Sequence, residues 1–189
     1  MLGLSGLGPT CHEFSKRDEM PLDVTFHQMS GAIGSLILLW SRIERSARDD
    51  VVRLLGFLPA KAHGIKAVIG TWEGAVVEAQ PPDTLCSLLA ATLRLQLQRQ
   101  LDIRNGICHG LIGIMGSVGD APAALSWELN GSKHSISWEE LQSSLGWLSK
   151  IPFAFSMISD PALDRPGSRV VDTIENREWW RAEWGLHLP

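Results

Sequence analysis

Three side chains suited to phosphate chemistry lie close together in the segment LDIRNGICHG, residues 101–110. Arg104 carries a fork of N–H donors that matches a phosphate group, and His109 is a side chain that changes charge near neutral pH. Asn105 lies four residues before His109, so on a continuous helix the two share a face. An amide in that place can hydrogen-bond the imidazole and fix its tautomer. The sequence therefore predicts one site built from these three residues.

The spacing of Arg104 and His109 restricts how they can act together. Five residues separate them by about 140° around an ideal helix. They can reach one small target if the helix bends or frays between them, as Gly106 would permit, or if two copies of the site face each other. The sequence leaves both arrangements open.

An arginine and a histidine without a metal ion are suited to the cleavage of RNA. Histidine transfers protons, arginine stabilises charge on the phosphate, and the RNA supplies its own 2′-hydroxyl as the nucleophile. We therefore expect a metal-independent endoribonuclease that leaves a 2′,3′-cyclic phosphate and uses no cofactor and no metal. The plainer interpretation is that Arg104 pairs with a carboxylate, Asn105 ends a helix and His109 is a partly buried imidazole with its hydrogen bonds satisfied.

The segment RNGICH, residues 104–109, resembles the R-polar-x(3)-H motif of HEPN domains, a superfamily of helical and usually dimeric proteins. The segment LLWSRIERSARDDVVRLLG is similar to the first long helix of bacterial HEPN-like proteins, with Glu44 one turn after Trp40. The resemblance implies that Arg104 and His109 are catalytic, that Asn105 is the supporting polar residue and that Glu44 orients the site. It also implies a homodimer whose two motifs line one cleft, a toxin or phage-defence role, and an antitoxin protein as a potential partner.

One position departs from the pattern of some HEPN toxins. Those toxins carry a tyrosine two residues after the histidine, and a partner enzyme silences them by nucleotidylating it. Leu111 stands at that position, and the chain contains no tyrosine, so this form of control is excluded. A net charge of −4 without a basic stripe favours the alternative of a non-catalytic HEPN-fold dimerisation or binding module.

The elements that must position the site are predominantly helical. Apolar residues that recur every three or four positions predict amphipathic helices over 25–48, 65–79 and 84–103. A capping box of Ser137 and Glu140 predicts a helix from 138 towards 157, and a short helix containing three tryptophans (Trp179, Trp180, Trp184) is expected to close the chain.

A small amount of β-structure is expected before the last long helix. Asn130-Gly131 is the preferred pair for a two-residue hairpin turn, and the preceding segment GIMGSVGDAP is expected to form a loop. The predicted fold class is therefore mainly all-α. With the resemblance, it becomes an HEPN-like up-and-down helical bundle with a small β-hairpin insertion.

The 189 residues fit one domain with a short segment on either side of it. We expect a flexible tail over 1–20, an HEPN-like bundle over 21–160, and a loop and short helix over 161–189 that pack on the bundle or on a dimer mate. The net charge of −4 argues against general coating of nucleic acid, so no DNA partner is expected. No secretory signal or bilayer-length apolar run is seen, which predicts a cytoplasmic protein without a membrane partner. Charges of both signs between 42 and 53 predict a solvated face of the first helix.

Overall fold

The computed structural model of the chain describes residues 23–80, 84–119, 121–160 and 167–188. Within them, five α-helices surround one core and a three-stranded antiparallel sheet lies at one end. The mainly helical fold class is thereby confirmed. The elements in chain order are α1 (Phe26–Leu55), α2 (Ile65–Ala79), α3 (Leu85–Gly110), β1 (Leu111–Met115), β2 (Ala124–Leu129), β3 (Ser132–Ser137), α4 (Trp138–Ile158) and α5 (Ile174–Trp184). The tail expected over 1–20 lies outside the described residues.

The long helix α1 begins at a capping box formed by Thr25 and Gln28. It was expected to end near residue 48 but continues to Leu55, where Gly56 adopts a left-handed φ of 79° that ends the helix. Its buried stripe packs on α2 and α4. In the centre of this packing, the rings of Trp72 and Phe155 meet edge to face with centroids 4.4 Å apart.

The sheet follows α3 without an intervening loop. Its strand order is β1-β2-β3, and Asn130 and Gly131 form the turn between β2 and β3 with φ values of 53° and 75°. Both values are positive, as the predicted two-residue turn requires. The prediction of a loop at GIMGSVGDAP is wrong for its first three residues, 113–115. They belong to the strand Leu111–Met115, which pairs with β2 and adds a third strand to the expected hairpin.

The first C-terminal helix, α4, contacts both the sheet and the bundle, and the second, α5, packs on α4. The predicted capping box of Ser137 and Glu140 begins α4, which reaches Ile158. The short helix α5 buries Trp180 and Trp184. The indole Nε1 of Trp147 on α4 donates to the carbonyl of Trp184 at 2.9 Å, so α5 packs against the bundle of its own chain.

Candidate active site

The candidate site lies on the last turns of α3, and two glycines there allow β2 to pack directly on the helix. A side chain at Gly106 would overlap the indole of Trp127, and one at Gly110 would overlap the backbone carbonyl of Glu128. The expected end of the helix near residue 103 is therefore wrong, and α3 is continuous through the whole motif. The glycines serve close approach by a neighbouring strand, and they do not loosen the helix.

Arg104 is half-buried because it continues the apolar stripe of α3. It lies three residues after Leu101 and seven after Leu97, both of which are buried in the core. Its Nη1 donates to the side-chain oxygen of Asn105 at 2.9 Å. Its Nε is buried and has no hydrogen-bond partner among the residues that the structure describes.

The charge of Arg104 is therefore not compensated by a carboxylate. No ion pair involves Arg104 in the described part of the chain, whereas four other arginines are each within 3 Å of an acidic side chain (Arg48, Arg53, Arg94, Arg177). A half-buried cation without a counterion loses hydration that one amide oxygen replaces only in part. Such a guanidinium is suited to accept an anion.

His109 is the last but one residue of α3 and is exposed to solvent. Its imidazole makes no hydrogen bond to any residue that the structure describes, so it is free to reach a ligand. The expected hydrogen bond between Asn105 and this imidazole is not formed; the amide oxygen of Asn105 instead accepts from Arg104. Asn105 therefore positions the guanidinium and leaves the histidine free.

The unbroken helix bears on the first of the two arrangements that the spacing leaves open, a bend or frayed turn at Gly106. Since α3 does not bend at Gly106, Arg104 and His109 project about 140° apart within one subunit. Within one subunit the helix therefore does not bring the two side chains towards one small target.

Glu44, the expected orienting residue, lies on α1. Its carboxylate pairs with Arg48 one turn later at 2.7 Å, and both side chains are one-third exposed. Within the described residues it makes no hydrogen bond or ion pair to Arg104, Asn105 or His109. The structure thus brings Arg104 and Asn105 together and leaves Glu44 with a partner of its own.

A second polar cluster was missed by the sequence reasoning. Asp50 was expected on a solvated charged face, but its carboxylate is buried and binds Arg53. Arg53 also donates to the carbonyl of Ser159 at 2.8 Å, and the hydroxyl of Ser159 accepts from the indole of Trp72. Burial raises the pKa of Asp50 above its usual value, while Arg53 opposes this shift. The spacing of Asp50 in the sequence could have indicated its burial, because Asp50 falls three residues after the buried Ala47 on the apolar stripe of α1.

Two wider features bear on the choice of chemistry. No group of three or more histidine, cysteine, aspartate or glutamate side chains is arranged to hold a metal ion within the described ranges. None of the five described helices combines the length and the apolar character that crossing a bilayer requires.

No protein-family model, curated protein or solved structure matches this chain.

Proposed function

We propose that this chain is a metal-independent endoribonuclease of the HEPN type, acting as a homodimer in the cytoplasm in a toxin or phage-defence role. One observation carries the proposal: a half-buried Arg104 guanidinium without a carboxylate partner in the described residues lies on the same helix end as an exposed, unengaged His109. The helical bundle and the RNGICH segment support the HEPN-like topology.

The reaction divides between these residues and the RNA. The 2′-oxygen of one ribose attacks the adjacent phosphorus, and His109 takes the proton of that hydroxyl. Arg104 stabilises the added negative charge on the phosphate with its N–H donors, and Asn105 holds the guanidinium in place. The bond from phosphorus to the 5′-oxygen breaks, and that oxygen takes a proton from a protonated imidazole or from water. The products are a 2′,3′-cyclic phosphate and a free 5′-hydroxyl.

Dimerisation completes the site in this proposal. Because Arg104 and His109 of one subunit project to different sides of α3, the phosphate is held between the arginine of one copy and the histidine of the other. RNA is the substrate, and an antitoxin protein is the class of partner expected to restrain the activity.

The proposal is tested by incubating RNA with the protein in the presence of EDTA. The wild type is expected to cleave RNA to ends that carry a cyclic phosphate, and His109→Ala is expected to abolish cleavage. His63→Ala is the matched control, because His63 is an exposed histidine in the loop before α2. Cleavage that survives in His109→Ala, or cleavage of an oligonucleotide that lacks the 2′-hydroxyl, would contradict the mechanism.

The divergence of Arg104 and His109 within one subunit favours a second candidate function, a non-catalytic HEPN-fold dimerisation or binding module. That module would dimerise without cleaving RNA, and Arg104→Ala would leave growth on overexpression unchanged. Growth arrest on induction of the wild type, relieved by His109→Ala, would exclude it.

A further inference from the structure

A groove of about 400 Å³ runs between α3, α4 and α5. Its α3 wall includes Gln100, which lies one helical turn before Arg104 and therefore beside it on the same face of the helix. The volume lies within the range of sites that hold small ligands. The groove is thus a ligand-sized space whose α3 wall reaches to within one helical turn of Arg104.

The polar side chains that line this groove are not engaged with one another. Arg99, Gln100, Ser143 and Glu183 all line it, and none makes a side-chain hydrogen bond or ion pair within the described residues. Arg99 and Glu183 have opposite charges and are both exposed, yet they do not pair. Together these groups offer N–H donors, hydroxyls and a carboxylate acceptor to a molecule in the groove.

An aromatic wall faces these polar groups and is fixed in place. Trp147 and Trp184 line the groove, and the hydrogen bond from Trp147 Nε1 to the carbonyl of Trp184 ties one to the backbone of the other. Gln96 Nε2 donates to the carbonyl of Gly185 at 2.8 Å, which holds the end of α5 against α3. The wall is therefore built before a ligand arrives, which lowers the entropic cost of binding.

We propose that this groove binds one nucleobase of a single-stranded RNA, an inference that rests on the proposed ribonuclease function. A nucleobase is a flat ring that stacks on aromatic side chains, and its edge carries both hydrogen-bond donors and acceptors. The groove provides an indole surface and a mixed set of donors and acceptors of that kind. The exposed guanidinium of Arg99 in the groove favours a ligand that carries phosphate over a neutral sugar.

The binding test uses a fluorescently labelled 2′-O-methyl oligoribonucleotide, which has no free 2′-hydroxyl and so cannot be cleaved by the proposed route. Ser143→Trp fills the groove from an exposed position, and Arg99→Ala removes a donor. Each is expected to weaken binding, measured by fluorescence anisotropy, by about tenfold, which is the loss expected for one stacked base. Lys66→Ala is the matched control, because it removes one positive charge from α2, which contributes no residue to the described lining of the groove. It is expected to change the affinity less than twofold.

A second measurement follows the Trp147 indole N–H signal by NMR while adenosine or guanosine monophosphate is added. A shift in the wild type that is lost in Ser143→Trp supports the groove as a nucleobase site. A shift produced by a neutral oligosaccharide but not by the nucleotides would overturn the proposal, and so would the absence of any shift.

The outcomes separate this inference from the proposed function. Groove variants that bind and cleave RNA as the wild type does would overturn the nucleobase site and leave the ribonuclease intact. A wild type that binds the oligoribonucleotide through the groove but never cleaves unmodified RNA would overturn the ribonuclease and leave the nucleobase site intact.

Discussion

Two arginines near helix ends, one exposed and one half-buried, have opposite surroundings in this molecule. Arg53 on α1 binds the buried carboxylate of Asp50 and the carbonyl of Ser159. Arg104 on α3 has one bond, to the amide of Asn105, and a buried Nε without a partner among the described residues. The first arginine links α1 to the end of α4, whereas the second retains the capacity to bind an anion. The comparison teaches that the partners of an arginine decide whether its charge is already compensated within the fold or is available to a ligand.

The largest effect is expected when each arginine is removed and RNA cleavage is measured. Arg104→Ala is expected to lower kcat/KM at least a hundredfold, because one donor to a developing oxyanion typically contributes that much. Arg53→Ala, assayed at a temperature where circular dichroism shows it folded, is expected to change kcat/KM less than twofold. Equal losses in the two variants would remove the distinction between the arginines.

Stability is expected to respond in the reverse order. Arg53→Ala leaves the Asp50 carboxylate buried without its counterion and is expected to lower the free energy of unfolding by about 2 kcal/mol. That is below the usual cost of breaking a buried pair, because the Arg53 side chain is 39% exposed. Arg104→Met removes an unpaired charge and keeps apolar volume, so it is expected to leave urea stability unchanged or raised. A loss of stability in Arg104→Met larger than in Arg53→Ala would contradict the comparison.

A single substitution can make Arg104 resemble Arg53. Asn105→Asp has nearly the same shape and places a carboxylate where the amide oxygen already accepts from Arg104. We expect about a tenfold loss of RNA cleavage, because the guanidinium then has an internal counterion that competes with phosphate. Asn105→Ala serves as the control for loss of the amide and is expected to lose less activity. Full activity in Asn105→Asp would show that Arg104 does not need to be free of a carboxylate.

The smallest effect concerns the pH dependence of stability. Burial raises the pKa of Asp50 in the folded state. As pH rises, the unfolded chain therefore loses this proton at a lower pH than the folded chain does. The free energy of unfolding falls as pH rises from the ordinary aspartate pKa through the raised value. Asp50→Asn mimics the protonated form and removes this fall. The free energy of unfolding of the variant, measured by urea titration, is therefore expected to rise relative to that of the wild type between pH 4 and pH 7. A difference that is constant over this range would show that Asp50 does not titrate there.

Local signals made part of this structure predictable from the sequence. Asn130-Gly131 requires only its own positive φ values, and the capping box of Ser137 and Glu140 involves a single helical turn. The long amphipathic helices follow from apolar spacing within each segment. These features depend on neighbours along the chain, so the sequence contains what is needed to predict them.

The features that the sequence did not predict depend on distant partners. Gly106 and Gly110 resemble helix breakers until Trp127 and the carbonyl of Glu128 are seen against them. The strand β1 is a five-residue segment with an internal glycine, and it becomes a strand only by pairing with β2. The predicted site residues Arg104, Asn105 and His109 lie on one helix end. The contact between Arg104 and Asn105 is local, but the absence of a counterion for Arg104 in the described residues depends on which distant side chains pack around it.

The close contact of β2 with α3 also affects how mutational scans of this protein should be interpreted. A selection for cellular activity would tolerate only glycine at 106 and 110, since any larger residue would push Trp127 or the strand backbone off the helix. Loss of activity on substitution at those two positions would therefore reflect the close packing of β2 on α3, although both positions lie directly beside motif residues. A catalytic role is indicated only at positions where a variant is abundant and well folded but has lost activity.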